Sequence, residues 1–77
     1  MAKLPVLSAR ELLRALSRAG FEVVAQRGSH IRLKGTRASQ NRVVIVPNHP
    51  EIAVGTLSSI LRQAALSRDE LFELLKR

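Results

Sequence analysis

"FEVVAQRGSHIRLK", residues Phe21 to Lys34, decides how the chain is built. Upstream of it the apolar residues follow a helical period, and within it the period drops to two. In "FEVVAQ" the alternation predicts Phe21, Val23 and Ala25 on one side, and Glu22, Val24 and Gln26 on the other. "RGS" makes a tight turn. In "HIRLK", Ile31 and Leu33 point to a core, which puts His30, Arg32 and Lys34 together on the opposite face. A lone histidine heading an alternating basic run is either an ordinary surface side chain or an imidazole set out for chemistry.

Upstream, "SARE" (Ser8 to Glu11) has the capping-box form that opens a helix. Leu12, Leu13 and Leu16 fall on one face of it, with Ala9 and Ala19 near its ends, and Arg10, Arg14 and Arg18 form a stripe on another. Gly20 supplies the stop, because positive φ costs glycine little. Downstream, "GTRASQNR" (Gly35 to Arg42) is expected to be a polar loop, longer than most hairpin connections. "VVIV" (Val43 to Val46) is a third strand ended by Pro47. "PNHPEIAVGT" (Pro47 to Thr56) is rich in turn residues and leads into a second helix, about Leu57 to Leu66, with Leu57, Ile60, Leu61 and Ala64 on its apolar face. "SRDE" (Ser67 to Glu70) is a second capping box, starting a short helix with Leu71, Phe72, Leu74 and Leu75. The expected class is α+β: a three-stranded antiparallel meander, two helices packed on one face in the order α-β-β-β-α, and a short C-terminal helix. The other sheet face is left open.

With 77 residues the chain has room for one domain, expected over residues 1–77. At this size roughly 60% of the unfolded surface is buried, enough for one core and too little for a deep substrate cavity. Chemistry on such a body takes place on an open surface and acts on something large. Cysteine is absent, which excludes disulfides and thiolate metal sites. "MAKLPVLSAR" lacks the apolar region of a signal peptide, and no apolar run approaches the ~18 residues that span a bilayer. A soluble, cytoplasmic protein without a membrane partner is expected. Thirteen Lys and Arg against six Asp and Glu give a net charge of +7, and ten of the thirteen are arginines, whose planar fork suits phosphate. Such an excess favours polyanions, nucleic acid first and an acidic protein second.

Cleavage of an RNA phosphodiester needs a base for the 2′-hydroxyl, an acid for the leaving oxygen and cations around the phosphorus. With an ordinary pKa of about 6.5, histidine can fill either proton-transfer role near neutral pH. His30 shares its face with Arg32 and Lys34, which can hold a phosphate. Gly28 lets the backbone turn closely, and the hydroxyl or amide of Ser29 can donate to a phosphate oxygen. His49, in "PNHP", is the second imidazole and is open to three readings: the missing acid, a substrate contact, or a loop residue bonded locally. The arginine stripe of the first helix either lines the path of RNA or is a solvated face. Gly55 and Thr56 begin the second helix, with Thr56 as its N-cap or its free amides facing an anion. Two histidines without paired carboxylates make no persuasive metal site, and neither "GSH" nor "VGT" is a nucleotide-binding glycine loop. There is no Trp or Tyr, and Phe21 and Phe72 are assigned to the core, so no aromatic base-stacking platform is expected.

Three pieces in order resemble the HicA toxin family, the YcfA-like messenger-RNA interferases: "GSHIRL" (Gly28 to Leu33), "VVIVPNH" (Val43 to His49) and "GTLSSILRQAALSRDELFELL" (Gly55 to Leu75). With the first helix and "AGF" (Ala19 to Phe21), the resemblance spans nearly the whole chain. It implies a fold like the double-stranded-RNA-binding domain and a metal-independent endoribonuclease without cofactor. The catalytic histidine of the family aligns with His30. Gly28, Ser29, Arg32, Lys34 and His49 are the expected substrate contacts. The resemblance further implies a messenger-RNA substrate, a HicB-type antitoxin as partner, and no DNA for the toxin alone. Leu33 stands where the family often has an aromatic residue, and "HPEIAVGT" lacks the glycine and lysine often found after the second histidine. Without scission, the same basic face would make a plain RNA-binding module or a protein-binding surface.

Overall fold

The computed structural model describes residues 3–76. Residues 1, 2 and 77, which the expected domain 1–77 includes, lie outside the described residues. The order is α1 (Ala9–Arg18), β1 (Glu22–Arg27), β2 (His30–Arg37), β3 (Gln40–Pro47), α2 (Val54–Ala64) and α3 (Arg68–Lys76). The strands form one antiparallel sheet in the order β1-β2-β3. This is the α-β-β-β-α arrangement expected, with the short C-terminal helix added.

Both capping boxes are formed. The Ser8 N–H donates to Glu11 Oε1 (3.0 Å) and the Glu11 N–H to Ser8 Oγ (3.1 Å), which satisfies two amides at the start of α1. Ser67 and Glu70 repeat the exchange at α3, at 2.9 and 3.1 Å. α1 ends at Ala19, followed by Gly20 with φ +97°. α2 begins three residues earlier than expected. Its N-cap is Ala53, which has no side-chain bond, so Thr56 lies inside the first turn and is not the cap.

The core is built on one face of the sheet. Ile31 and Leu33 of β2 and Val44 and Val46 of β3 are buried against Leu12, Ala15 and Leu16 of α1 and Leu57, Ile60, Leu61 and Ala64 of α2. Leu71 and Leu74 of α3 close one side, and Leu7 and Ile52, joined by a bridge, another. Phe72 is only half-buried and stands outside this cluster, contrary to the core position expected for it. α3 is also fastened by arginines: Arg18 Nη1 donates to the Leu74 carbonyl (2.7 Å), Arg37 Nε to the Ala65 carbonyl (3.0 Å), and Arg37 pairs with Glu70. Arg18 therefore serves the fold, leaving Arg10 and Arg14 as the part of the expected stripe with no such bond.

Two expectations for the sheet are overturned. The shared side expected for Phe21, Val23 and Ala25 does not survive, because a bulge falls between Val23 and Ala25. Val23 pairs with Leu33, on the helix side; beyond the bulge Ala25 pairs with Arg32, on the open side. An extra residue in one strand reverses which way every later side chain points. β1 contributes no buried residue; only Phe21, just before it, is in the core. "GTRASQNR" is likewise not the long loop expected. β2 runs on to Arg37 and β3 starts at Gln40, joined by Ala38 and Ser39 with φ +53° and +62°. Positive φ at both central residues is the twist-matched type I′ geometry, adopted here without the usual Asn or Gly. Thr36 Oγ1 donating to Asn41 Oδ1 (2.9 Å) and Arg42 Nε donating to the Arg37 carbonyl (3.0 Å) help hold the hairpin together.

Candidate active site

The helices cover one side of the sheet, and the ladder registers fix what stands on the other. Residues directly opposite in an antiparallel pair point the same way. Since Ile31 and Leu33 face the helices, His30, Arg32 and Lys34 face solvent, and all three are exposed. Their neighbours follow from the pairing. His30 lies between Arg27 and Pro47, Arg32 between Ala25 and Ile45, and Lys34 between Glu22 and Val43. The open face is thus a grid with a basic row along its central strand, one more arginine beside the histidine, and aliphatic side chains along β3.

The turn before the histidine is short because Gly28 and Ser29 alone join β1 to β2. Gly28 has φ +58° and open space where a side chain would be, so glycine is favoured there by the backbone conformation and not by crowding. Ser29 is exposed, and its carbonyl accepts the Asn48 N–H at 2.6 Å. That bond ties the turn carrying His30 to the Pro47–Asn48–His49 segment. The segment is itself pinned, with the His49 N–H donating to the Pro47 carbonyl (2.9 Å) and the His49 carbonyl accepting the Ala9 N–H (2.9 Å) at the start of α1. His49 is fixed by its backbone while its side chain is exposed.

The structure therefore gathers Gly28, Ser29, His30, Arg32 and Lys34 into one turn and one strand face, and backbone bonds link them to the loop of His49. It also adds two kinds of residue that the sequence reading passed over. Arg27 is directly opposite His30; a two-residue turn at Gly28-Ser29 already dictated that pairing. Ile45 and Val43 are opposite Arg32 and Lys34 and are 41% and 47% exposed, although they belong to an apolar run that suggests burial. Alternation through Val44 and Val46, both buried, was the available signal. A shallow depression of about 390 Å3 lies on this face, lined by Ala25, Gln26, Arg27, His30, Arg32 and Ile45. Among the described residues no three His, Asp or Glu side chains come together as a group that could hold a metal ion, and no helix is long and apolar enough to cross a membrane.

A cation row with an imidazole on a shallow open face can hold a phosphate and move a proton beside it. Comparison with known proteins agrees with that chemistry. A family model for the HicA toxin of bacterial toxin–antitoxin systems matches residues 9–66, from the first residue of α1 to just beyond α2. No curated protein matches the chain. The match takes in three quarters of the sequence and every residue of the open face, and leaves α3 outside it. The chain belongs to the HicA toxin family, and it is an RNA-cleaving toxin.

Proposed function

We propose that this toxin cuts messenger RNA on the open sheet face, with His30 as its proton-transfer residue. The observation that carries the reading is the position of His30 at the head of an exposed basic row on the central strand, with Arg27 directly across from it. In the proposed step the 2′-oxygen of one nucleotide attacks the adjacent phosphorus and gives up its proton. The bond from phosphorus to the 5′-oxygen of the next nucleotide breaks, and that oxygen takes up a proton. The products are a 2′,3′-cyclic phosphate and a 5′-hydroxyl. His30 serves as the base or the acid of this exchange, and no metal ion is required. Arg32 and Lys34 offset the charge that builds on the non-bridging oxygens, and the Gly28-Ser29 turn supplies donors to the same phosphate. His49 contacts the substrate from the neighbouring loop, a role supported by the bond from the Asn48 N–H to the Ser29 carbonyl.

A HicB-type antitoxin is the proposed partner. A net charge of +7 and a face that is basic and partly aliphatic favour an acidic protein that covers the cutting residues.

The test is RNA cleavage by wild type and His30→Ala in EDTA, with RNA binding followed in parallel. Loss of a proton-transfer group is expected to cost about 10²–10⁴ in rate while most phosphate affinity remains. A single 2′-deoxynucleotide 5′ to the cut should abolish scission. If His30→Ala cuts as fast as wild type, or the deoxy substrate is cut equally well, the proposed role of His30 or the 2′-hydroxyl mechanism is wrong.

A further inference from the structure

The open face offers a nucleic acid something besides charge. Phe21 is buried, Phe72 lies on α3 and the chain has no Tyr or Trp, so His30 is the one ring on this face. What stands beside the charges is aliphatic: Ile45 at the level of Ala25 and Arg32, and Val43 one step along, at the level of Lys34. These exposed β-branched residues run along the edge strand β3, beside the basic row of β2, and leave apolar area uncovered next to the charges. The depression beside His30 has Ile45 and Ala25 as its apolar part and Arg27 and Arg32 as its charged part. Its composition matches one nucleotide, a flat weakly polar ring attached to an anion.

We infer that Ile45, with Ala25, is the seat of the base next to the scissile phosphate, and that Arg32 lies against that base or its phosphate. The inference rests on the reading of His30 given above and deepens it by assigning a base subsite. A guanidinium can lie flat on a nucleobase, and an aliphatic side chain can cover the other part of the ring without reading its hydrogen-bonding edge. The base must leave its stack to reach the sheet, so the substrate is unpaired at the cut. Ile45 and Ala25 offer no side-chain donor or acceptor, so this part of the subsite holds a base without reading its identity.

The test uses a short single-stranded RNA that wild type cuts at one defined bond, and copies with an abasic ribonucleotide on either side of that bond. Both keep every phosphate and 2′-hydroxyl. The enzymes are wild type, Ile45→Thr, which keeps the β-branched shape, and Val23→Thr, a control that also exchanges exposed apolar surface for a hydroxyl on the other side of the sheet. On intact RNA, Ile45→Thr is expected to raise KM about threefold to tenfold with little change in kcat. Removing one of the two flanking bases should raise the wild-type KM by about the same factor. On that abasic RNA, Ile45→Thr should add nothing further, and Val23→Thr should behave as wild type on both.

Equal cleavage of intact RNA by Ile45→Thr and wild type overturns the inference and leaves the aliphatic row to a protein partner. Multiplying effects of the mutation and the missing base also overturn it, as does equal cutting of the same bond within a duplex. Each of these outcomes leaves His30 in its role; only undiminished cleavage by His30→Ala removes that role.

Discussion

Gly35 and Phe21 offer the sharpest test of how the strand bearing the basic row is held. Gly35 is on the helix side of β2, and a Cβ there would meet the Phe21 ring at 2.6 Å from Cδ1, 2.8 Å from Cγ and 3.0 Å from Cε1. Carbon atoms in contact ordinarily stand about 3.5–4.0 Å apart, so the ring would have to retreat by roughly 1 Å. Phe21 is only 2% exposed and packs within the core, leaving little freedom for that movement. Overpacking of this kind costs about 1–3 kcal/mol. The loss of glycine freedom in the unfolded chain returns about 0.4–1 kcal/mol. The net expectation for Gly35→Ala is a loss of about 1–2 kcal/mol. For a domain of this size that is a fall in Tm of roughly 4–16 °C. Thermal and urea unfolding would measure it, with Phe21→Leu and the double variant completing a cycle. In the Leu background, Gly35→Ala should cost little or nothing. RNA cleavage well below Tm should be unchanged, since Gly35 and the His30 row face opposite ways. An unchanged or raised Tm for Gly35→Ala, or strictly additive effects in the cycle, would refute the close-packing account.

Other tests address the charges and the helix ends. If Arg27, Arg32 and Lys34 each hold a phosphate, neutralising one, as in Arg32→Gln, should reduce the slope of log affinity against log salt by about 0.7 for single-stranded RNA. An unchanged slope would remove that residue from the contact set. Hydrogen bonds from the Ser8 backbone N–H and from its hydroxyl hold the Glu11 carboxyl below its ordinary value of 4.5. The stabilisation this gives is present above that value and is lost as pH falls through the lower folded pKa. Glu11→Gln should therefore make the acid-side decline in Tm shallower, and an identical decline in both proteins would exclude the capping carboxylate as a source. Arg37→Ala removes the bond to the Ala65 carbonyl and the partly exposed pair with Glu70. It should cost about 1 kcal/mol and speed amide exchange in α3 more than in the sheet; uniform exchange would show that α3 does not depend on that arginine.

Much of this molecule is legible residue by residue. The two Ser-x-x-Glu boxes, the apolar face of α2 and the stop at Gly20 depend on interactions between residues a few positions apart, so spacing alone predicts them. Ile31 and Leu33 against His30, Arg32 and Lys34 is a matter of strand alternation, and alternation alone yields the basic row. Where the expectation failed, the deciding interaction was not local. The bulge in β1 answers to the partner strand, and nothing in "EVVA" distinguishes it from a regular strand. The Ala38-Ser39 turn carries no Asn-Gly signal. Its positive φ values are offset by the continued β2–β3 ladder and the hydrogen bonds beside it.

The sequence by itself determined which residue types share a face and where the helices begin, because those follow from the period of a single element. Only the tertiary structure decided what stands next to what. The register of β3 on β2 brings Ile45 to Arg32. The Asn48–Ser29 bond joins the second histidine's loop to the first histidine's turn. Each of these is a relation between distant stretches of chain, fixed by burying Ile31, Leu33, Val44 and Val46 under α1 and α2, and no single stretch carries it.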